Sequence, residues 1–138
     1  LWADTLDKRP ENPRAHNSLG KVLNDLGRTQ DAMARYREAI RRDPDYVDAH
    51  YNLGNALSKT GKYEEAAAQF REALRVNPKY VPAHNNLGIA LAGLGKFDEA
   101  IEHFEAALRI DPGYETARRN LAKAKNIRKT SGTKGRTL

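Results

Sequence analysis

The chain has 138 residues, 39% of them hydrophobic and 30% charged, a balance that suits a folded, water-soluble protein of about one domain. It contains no cysteine, which excludes disulfides, thiolate metal sites and cysteine nucleophiles, and no apolar run reaches the roughly 18–20 residues of a membrane-spanning helix. The net charge of +6 invites a nucleic-acid partner, but residues 113–138 hold 8 positive and 1 negative side chains, so the rest is near neutral and a broad basic surface is excluded.

Prolines at Pro10, Pro44, Pro78 and Pro112 recur every 34 residues and set the frame for the predicted elements. Residues 1–10 place Trp2, Leu6 and Pro10 in the register of Phe70, Leu74 and Pro78, and read as the end of a preceding second helix. The chain, which lacks an initial Met, is therefore expected to begin mid-array as part of a longer or processed protein. Its apolar edge at Trp2 and Leu6 offers a route to self-association.

Residues 11–44, 45–78 and 79–112 are three repeats; the second and third share 18 identical residues of 34, the first and second 13. Each is predicted as two antiparallel helices. In the second repeat Ala49, Leu53, Ala56 and Leu57 recur at helical spacing, then Ala66, Ala67, Phe70, Ala73 and Leu74 do so after Gly61. Gly27, Gly61 and Gly95 suit the left-handed residue that closes each first helix. The acids Asp31, Glu64, Glu65, Asp98 and Glu99 follow at the start of each second helix, where the helix dipole favours them. An Asp or Asn before proline ends the second helix, because the residue preceding proline is pushed from the α region. Gly20, Gly54 and Gly88 lie inside first helices at a cost of about 1 kcal/mol each relative to alanine. Close packing opposite Ala32, Ala66 and Ala100, beside Tyr36, Phe70 and Phe104, is the expected reason.

Residues 113–129 repeat the first-helix pattern through Tyr114, Ala117, Asn120, Leu121 and Ala122, but Lys125 stands where Leu23, Leu57 and Leu91 stand earlier. They are predicted as a solvated capping helix, and residues 130–138 as a disordered basic tail.

The 34-residue period, with Leu-Gly, a later Gly, Ala, an aromatic, Ala and Pro at fixed offsets, resembles the tetratricopeptide repeat family over residues 1 to about 129. Three positions depart from the family pattern: His at 16, 50 and 84 for an aromatic, Leu at 23, 57 and 91 for Tyr, and Thr29 for the aromatic held by Tyr63 and Phe97. The resemblance implies an all-α fold, an α-solenoid of antiparallel helix pairs wound as a right-handed superhelix, whose inner groove is lined by one stripe of the first helices. Counted from Pro13, Val47 and Val81 as first positions, that stripe takes the places two, five, six, nine, twelve and thirteen; it holds Asn17, Lys21 and Asn24, then Tyr51, Asn52, Asn55 and Lys59, then Asn85, Asn86 and Ile89, with Asn120 in the capping helix.

Asparagine is a mediocre helix former, so its abundance there asks for a reason. An amide offers donor and acceptor together, which suits the main chain of an extended peptide; solvated or inter-helix hydrogen-bonding residues are the other reading, and the sixth-position asparagines fit both. The row Asn52, Asn86 and Asn120, headed by Ser18, is similar to the asparagine ladder of the O-linked N-acetylglucosamine transferases, although no transferase catalytic segment accompanies it. The two-carboxylate clamp for chaperone tails requires Lys, Asn, Asn, Lys and Arg where this chain has Asn17, Lys21, Asn52, Pro82 and Asn86, so that ligand is not expected.

His16, His50 and His84 fall one per repeat without the spacing of helical ligand pairs, and are read as structural imidazoles. His103 reads as solitary and exposed. No nucleophile and base set stands out, so no catalytic residue, cofactor or metal is expected. The leading expectation is a non-enzymatic scaffold that holds a protein or peptide in its groove. Three layers spaced by about 9 Å give room for about eight extended residues at roughly 3.3 Å each. A second is an appendage of a larger membrane or glycosyltransferase-like enzyme. A third gives the basic C-terminal end a contact with RNA or anionic lipid, a weaker reading because apart from Tyr114 the segment lacks interleaved aromatics.

Overall fold

The computed structural model describes residues 12–136, and within them seven helices. They are α1 (Pro13–Asp25), α2 (Thr29–Arg42), α3 (Val47–Lys59), α4 (Tyr63–Val76), α5 (Val81–Gly93), α6 (Phe97–Ile110) and α7 (Glu115–Arg136). The closest packing is within the pairs α1–α2, α3–α4 and α5–α6, and each pair leans on the next through α2–α3, α4–α5 and α6–α7. This is the all-α stack of antiparallel helix pairs that the period implies. Residues 1–10, read as a remnant helix with an adhesive edge at Trp2 and Leu6, lie outside the described residues.

The helix ends follow local chemistry. Asn12 caps α1 by accepting at Oδ1 from the amides of Arg14 (3.0 Å) and Ala15 (3.4 Å), with Pro13 in the first turn. Gly27, Gly61 and Gly95 take φ of 79°, 80° and 77°, the left-handed region. At the far ends Asp43, Asn77 and Asp111 leave the helix in extended backbone. Their Oδ1 atoms accept from the amides of Asp45, Lys79 and Gly113, so the residue before each proline both stops one helix and shapes the next turn.

The core is a column of small and aromatic side chains. Ala32, Ala66 and Ala100 are fully buried, as is Phe70, with Tyr36 and Phe104 at 2% exposure. Each aromatic ring lies directly over the mid-helix glycine of its own pair: a Cβ at Gly20, Gly54 or Gly88 would come 2.5, 2.6 or 2.5 Å from the ring of Tyr36, Phe70 or Phe104. The glycines thus make room for the rings rather than for the facing alanines. On α3 and α5 burial also takes in Ala49, Ala56, Ala83 and Ala90, because these helices are flanked on both sides; the matching Val22 of α1 is half exposed.

The last helix differs from expectation in length. It runs to Arg136 rather than ending near residue 129 before an irregular tail. No proline interrupts the segment, and the Thr130 hydroxyl donates back to the carbonyls of Asn126 and Ile127, which absorbs a polar side chain into the helix. Among the described residues no helix is long and apolar enough to cross a membrane.

Candidate peptide-binding groove

First helices touch the first helix of the next pair, α1 with α3, α3 with α5 and α5 with α7, so this side of the stack is the tighter, inner wall. Its asparagines meet one another. Asn52 donates from Nδ2 to Oδ1 of Asn17 at 3.0 Å, Asn86 to Oδ1 of Asn55 at 2.7 Å, and Asn120 to Oδ1 of Asn85 at 3.1 Å. Each sixth-position amide therefore reaches back to the preceding first helix. Asn86 also donates to the Tyr51 hydroxyl (3.1 Å) and accepts from Asn85 (3.0 Å), and Asn17 donates to the Tyr46 hydroxyl at 3.5 Å.

This arrangement divides the predicted site residues. Asn17 and Asn85 are buried, at 5% and 1% exposure, and support the row from beneath. Asn24, Tyr51, Asn52, Asn55, Asn86 and Asn120 are half-buried on the wall, and Lys21 and Lys59 are exposed. A primary amide has two N–H donors and two acceptor lone pairs, so Asn52, Asn55 and Asn120 keep at least one unused N–H, whereas both N–H groups of Asn86 are engaged and Oδ1 of Asn24 is buried without a partner. Tyr51 is fixed by edge-on packing against Tyr80, ring centroids 5.2 Å apart, and by a tilted contact with Phe70 at 6.0 Å. Burial, then Asp48 and the neighbouring Tyr51 and Tyr114, raise the Tyr80 pKa, which keeps that phenol protonated.

Two adjoining hollows open on the C-terminal half of the wall. One, about 340 Å³, lies between Asn55, Lys59, Tyr63, Asn86 and Ile89. The other, about 290 Å³, is lined by Ile89, Phe97 and Ile127, with Asn120 and Lys123 at its edge. They share Ile89, which is 40% exposed. Tyr63 is held against Gly93, where a Cβ would come 2.8 Å from its ring. Tyr63, Phe97, Lys123 and Ile127 were not among the expected groove residues. Carrying the ninth and thirteenth stripe positions into the fourth unit points to Lys123 and Ile127; Tyr63 and Phe97 come from second helices and have no such signal.

On the opposite side the histidines are tied to the chain. Nε2 of His50 lies 2.6 Å from the Pro44 carbonyl oxygen and its Nδ1 2.8 Å from Gln69 Oε1. Nε2 of His84 lies 2.8 Å from the Pro78 carbonyl oxygen. His103, expected solitary and exposed, is half-buried: its Nδ1 is 3.3 Å from Nδ1 of His84, with the ring centroids 5.5 Å apart and the ring planes inclined by 26°. The period hides this pair because His103 occupies the column of Arg35 and Gln69. Burial, then the His84 ring and Arg71, lower the His103 pKa, with Glu99 opposing. Among the described residues no group of three or more His, Asp or Glu gathers as a metal site.

The basic end is partly committed within the molecule. Arg118 donates to Glu115 at 2.9 Å and to the Pro112 carbonyl at 2.6 Å, and Arg128 to Asp98 at 2.9 Å, joining α7 to α6.

Comparison with known proteins agrees with this architecture. Two tetratricopeptide-repeat families match, one described as "Tetratricopeptide repeat" over residues 51–115 and one as "TPR repeat" over residues 20–61. Of solved structures, the second TPR domain of human RPAP3, in complex with the HSP70 peptide SGPTIEEVD, is 29% identical with a TM-score of 0.78, covering 83% of this chain and 98% of that one. A crystal structure of MamA protein is 26% identical with a TM-score of 0.83, covering 96% of this chain and 74% of that one. A 46-residue stretch is 46% identical to the Caenorhabditis elegans Protein O-mannosyl-transferase F38B6.6, covering 33% of this chain and 7% of that protein's length. With its 34-residue helix pairs, ring-covered glycines and amide-lined inner wall, the chain belongs to the tetratricopeptide repeat family.

Proposed function

We propose that the protein is a non-enzymatic scaffold that holds an extended segment of a partner protein along the inner wall. The observation that carries this reading is the pair of joined hollows around Ile89, apolar at Phe97 and Ile127, flanked by Lys59 and Lys123 and rimmed by asparagine amides. An extended peptide would place an aliphatic side chain on Ile89, its main chain along Asn55, Asn86 and Asn120, and acidic neighbours toward the two lysines. The bound HSP70 peptide of the human RPAP3 domain, which joins Ile and Val to acidic residues, lends support by its chemistry. This chain lacks the clamp residues for a terminal carboxylate, so the segment is read as internal to its partner. Ile89→Glu places a charge in the hollow from an exposed position. Probed with an array of ten-residue peptides, the variant should bind aliphatic-acidic segments about tenfold or more weakly with unchanged helical circular dichroism. Equal binding would end the groove reading.

A second reading rests on the stretch shared with the O-mannosyl-transferase: the repeats form part of a larger enzyme and present a substrate or partner to it. Sequencing the transcript on both sides of this segment tests it; stop codons at both boundaries would remove the idea.

A further inference from the structure

The His84–His103 pair lies away from the groove and serves neither reading above. We infer that it is a binding site for a divalent first-row transition ion, with one Nδ1 from each ring as ligands and solvent completing the coordination. Two nitrogens bound tetrahedrally at about 2.0–2.1 Å from zinc stand about 3.3–3.4 Å apart. The two Nδ1 atoms are 3.3 Å apart.

The chain also orients the pair. The Pro78 carbonyl only accepts, so His84 donates to it from Nε2 at 2.8 Å, and its Nδ1 carries the lone pair that faces His103. A backbone carbonyl on the second ring nitrogen is the usual partner of a metal-bound imidazole, fixing its tautomer and ring angle. Without an ion, His103 supplies the proton shared between the two Nδ1 atoms; on binding, that proton moves to Nε2 of His103 through solvent and no net proton is lost. Both residues are half-buried, so solvent reaches the site. Imidazole donors select zinc, nickel or copper over magnesium and calcium, which prefer oxygen. The sequence could not suggest the pair, because its members are 19 residues apart on different helices.

The neighbouring repeat supplies a control. His50 has the same carbonyl contact, to Pro44, but faces Gln69. His103→Gln therefore installs a side chain that this position already accommodates one repeat earlier, and Gln69→His recreates the pair. Zinc alone should be titrated into the full chain by calorimetry, with magnesium as comparison, while the imidazole nitrogen resonances are followed. One equivalent of zinc should bind, shifting His84 and His103 together; His103→Gln should weaken it by about 100-fold or more, beyond the effect of losing a supporting contact alone. Gln69→His should add a second equivalent. Unchanged zinc affinity in His103→Gln, perturbation confined to His16 or His50, or no added equivalent in Gln69→His would overturn the assignment. A groove that failed to bind peptide would leave these outcomes unaffected.

Discussion

At Gly54 a missing side chain is the structural element. The Phe70 ring above it is fully buried, so a methyl group that would come 2.6 Å from Cε1 has no flexible neighbour to displace. Alanine improves helix propensity by about 1 kcal/mol, but overpacking costs about 1–3 kcal/mol. Gly54→Ala should therefore lower the urea midpoint, and adding Phe70→Leu should recover part of the loss; a rise in the single variant would show that the ring can move. Asn86 makes a second residue-scale case, since it donates to Asn55 and Tyr51 and accepts from buried Asn85. Asn86→Ala leaves that buried amide without this acceptor, at a cost of about 1–3 kcal/mol, measurable by chemical denaturation. The asparagine positions could be read from the chain, but their destination could not. One amide serves a neighbouring helix or a bound peptide equally well, and only the distance between first helices decides which.

At the level of elements, the turns were the most legible part, because their demands are local. Gly61 has φ of 80° and no atom within 4 Å of a would-be Cβ, so its requirement is conformational and not steric. Gly61→Ala should destabilise by about 1–2 kcal/mol, with Gly61→Asn milder because asparagine tolerates the left-handed region; thermal denaturation separates them. The end of α7 was less legible. The segment after residue 129 is rich in small polar and basic residues, which composition assigns to disorder, whereas helix continuation needs only the absence of a breaker and a back-bonded Thr130. His103 was missed for a related reason: its neighbour depends on which face of α6 meets α5, and the repeat column at 35, 69 and 103 holds Arg, Gln and His without a shared chemistry.

In the whole molecule every helix pair lends a face to the next, and α7 covers the last one through its packing on α6. Ala117 and Ala124 of α7 are buried against it. Removing residues 113–138 should lower the melting temperature and broaden the transition, since stability in such stacks is roughly the sum of units and their interfaces. Removing only residues 130–138 should leave both nearly unchanged. A calorimetric scan of the three lengths checks this, and equal transitions for the longest and shortest chains would contradict it.

The cross-links among the asparagines have a direction. Asn52, Asn86 and Asn120 each donate a hydrogen bond to the unit before, whereas Ser18 holds the same place in the first unit. Growth of the array by gene duplication is accordingly lopsided: a copied segment carrying its own asparagine brings the donor and finds an acceptor already waiting upstream. A copy of residues 45–78 inserted after residue 78 is thus equipped to dock, while a copy of residues 11–44 in that place arrives with a hydroxyl too short for the same span. Lengthening by the middle unit is the inexpensive evolutionary route open to this protein.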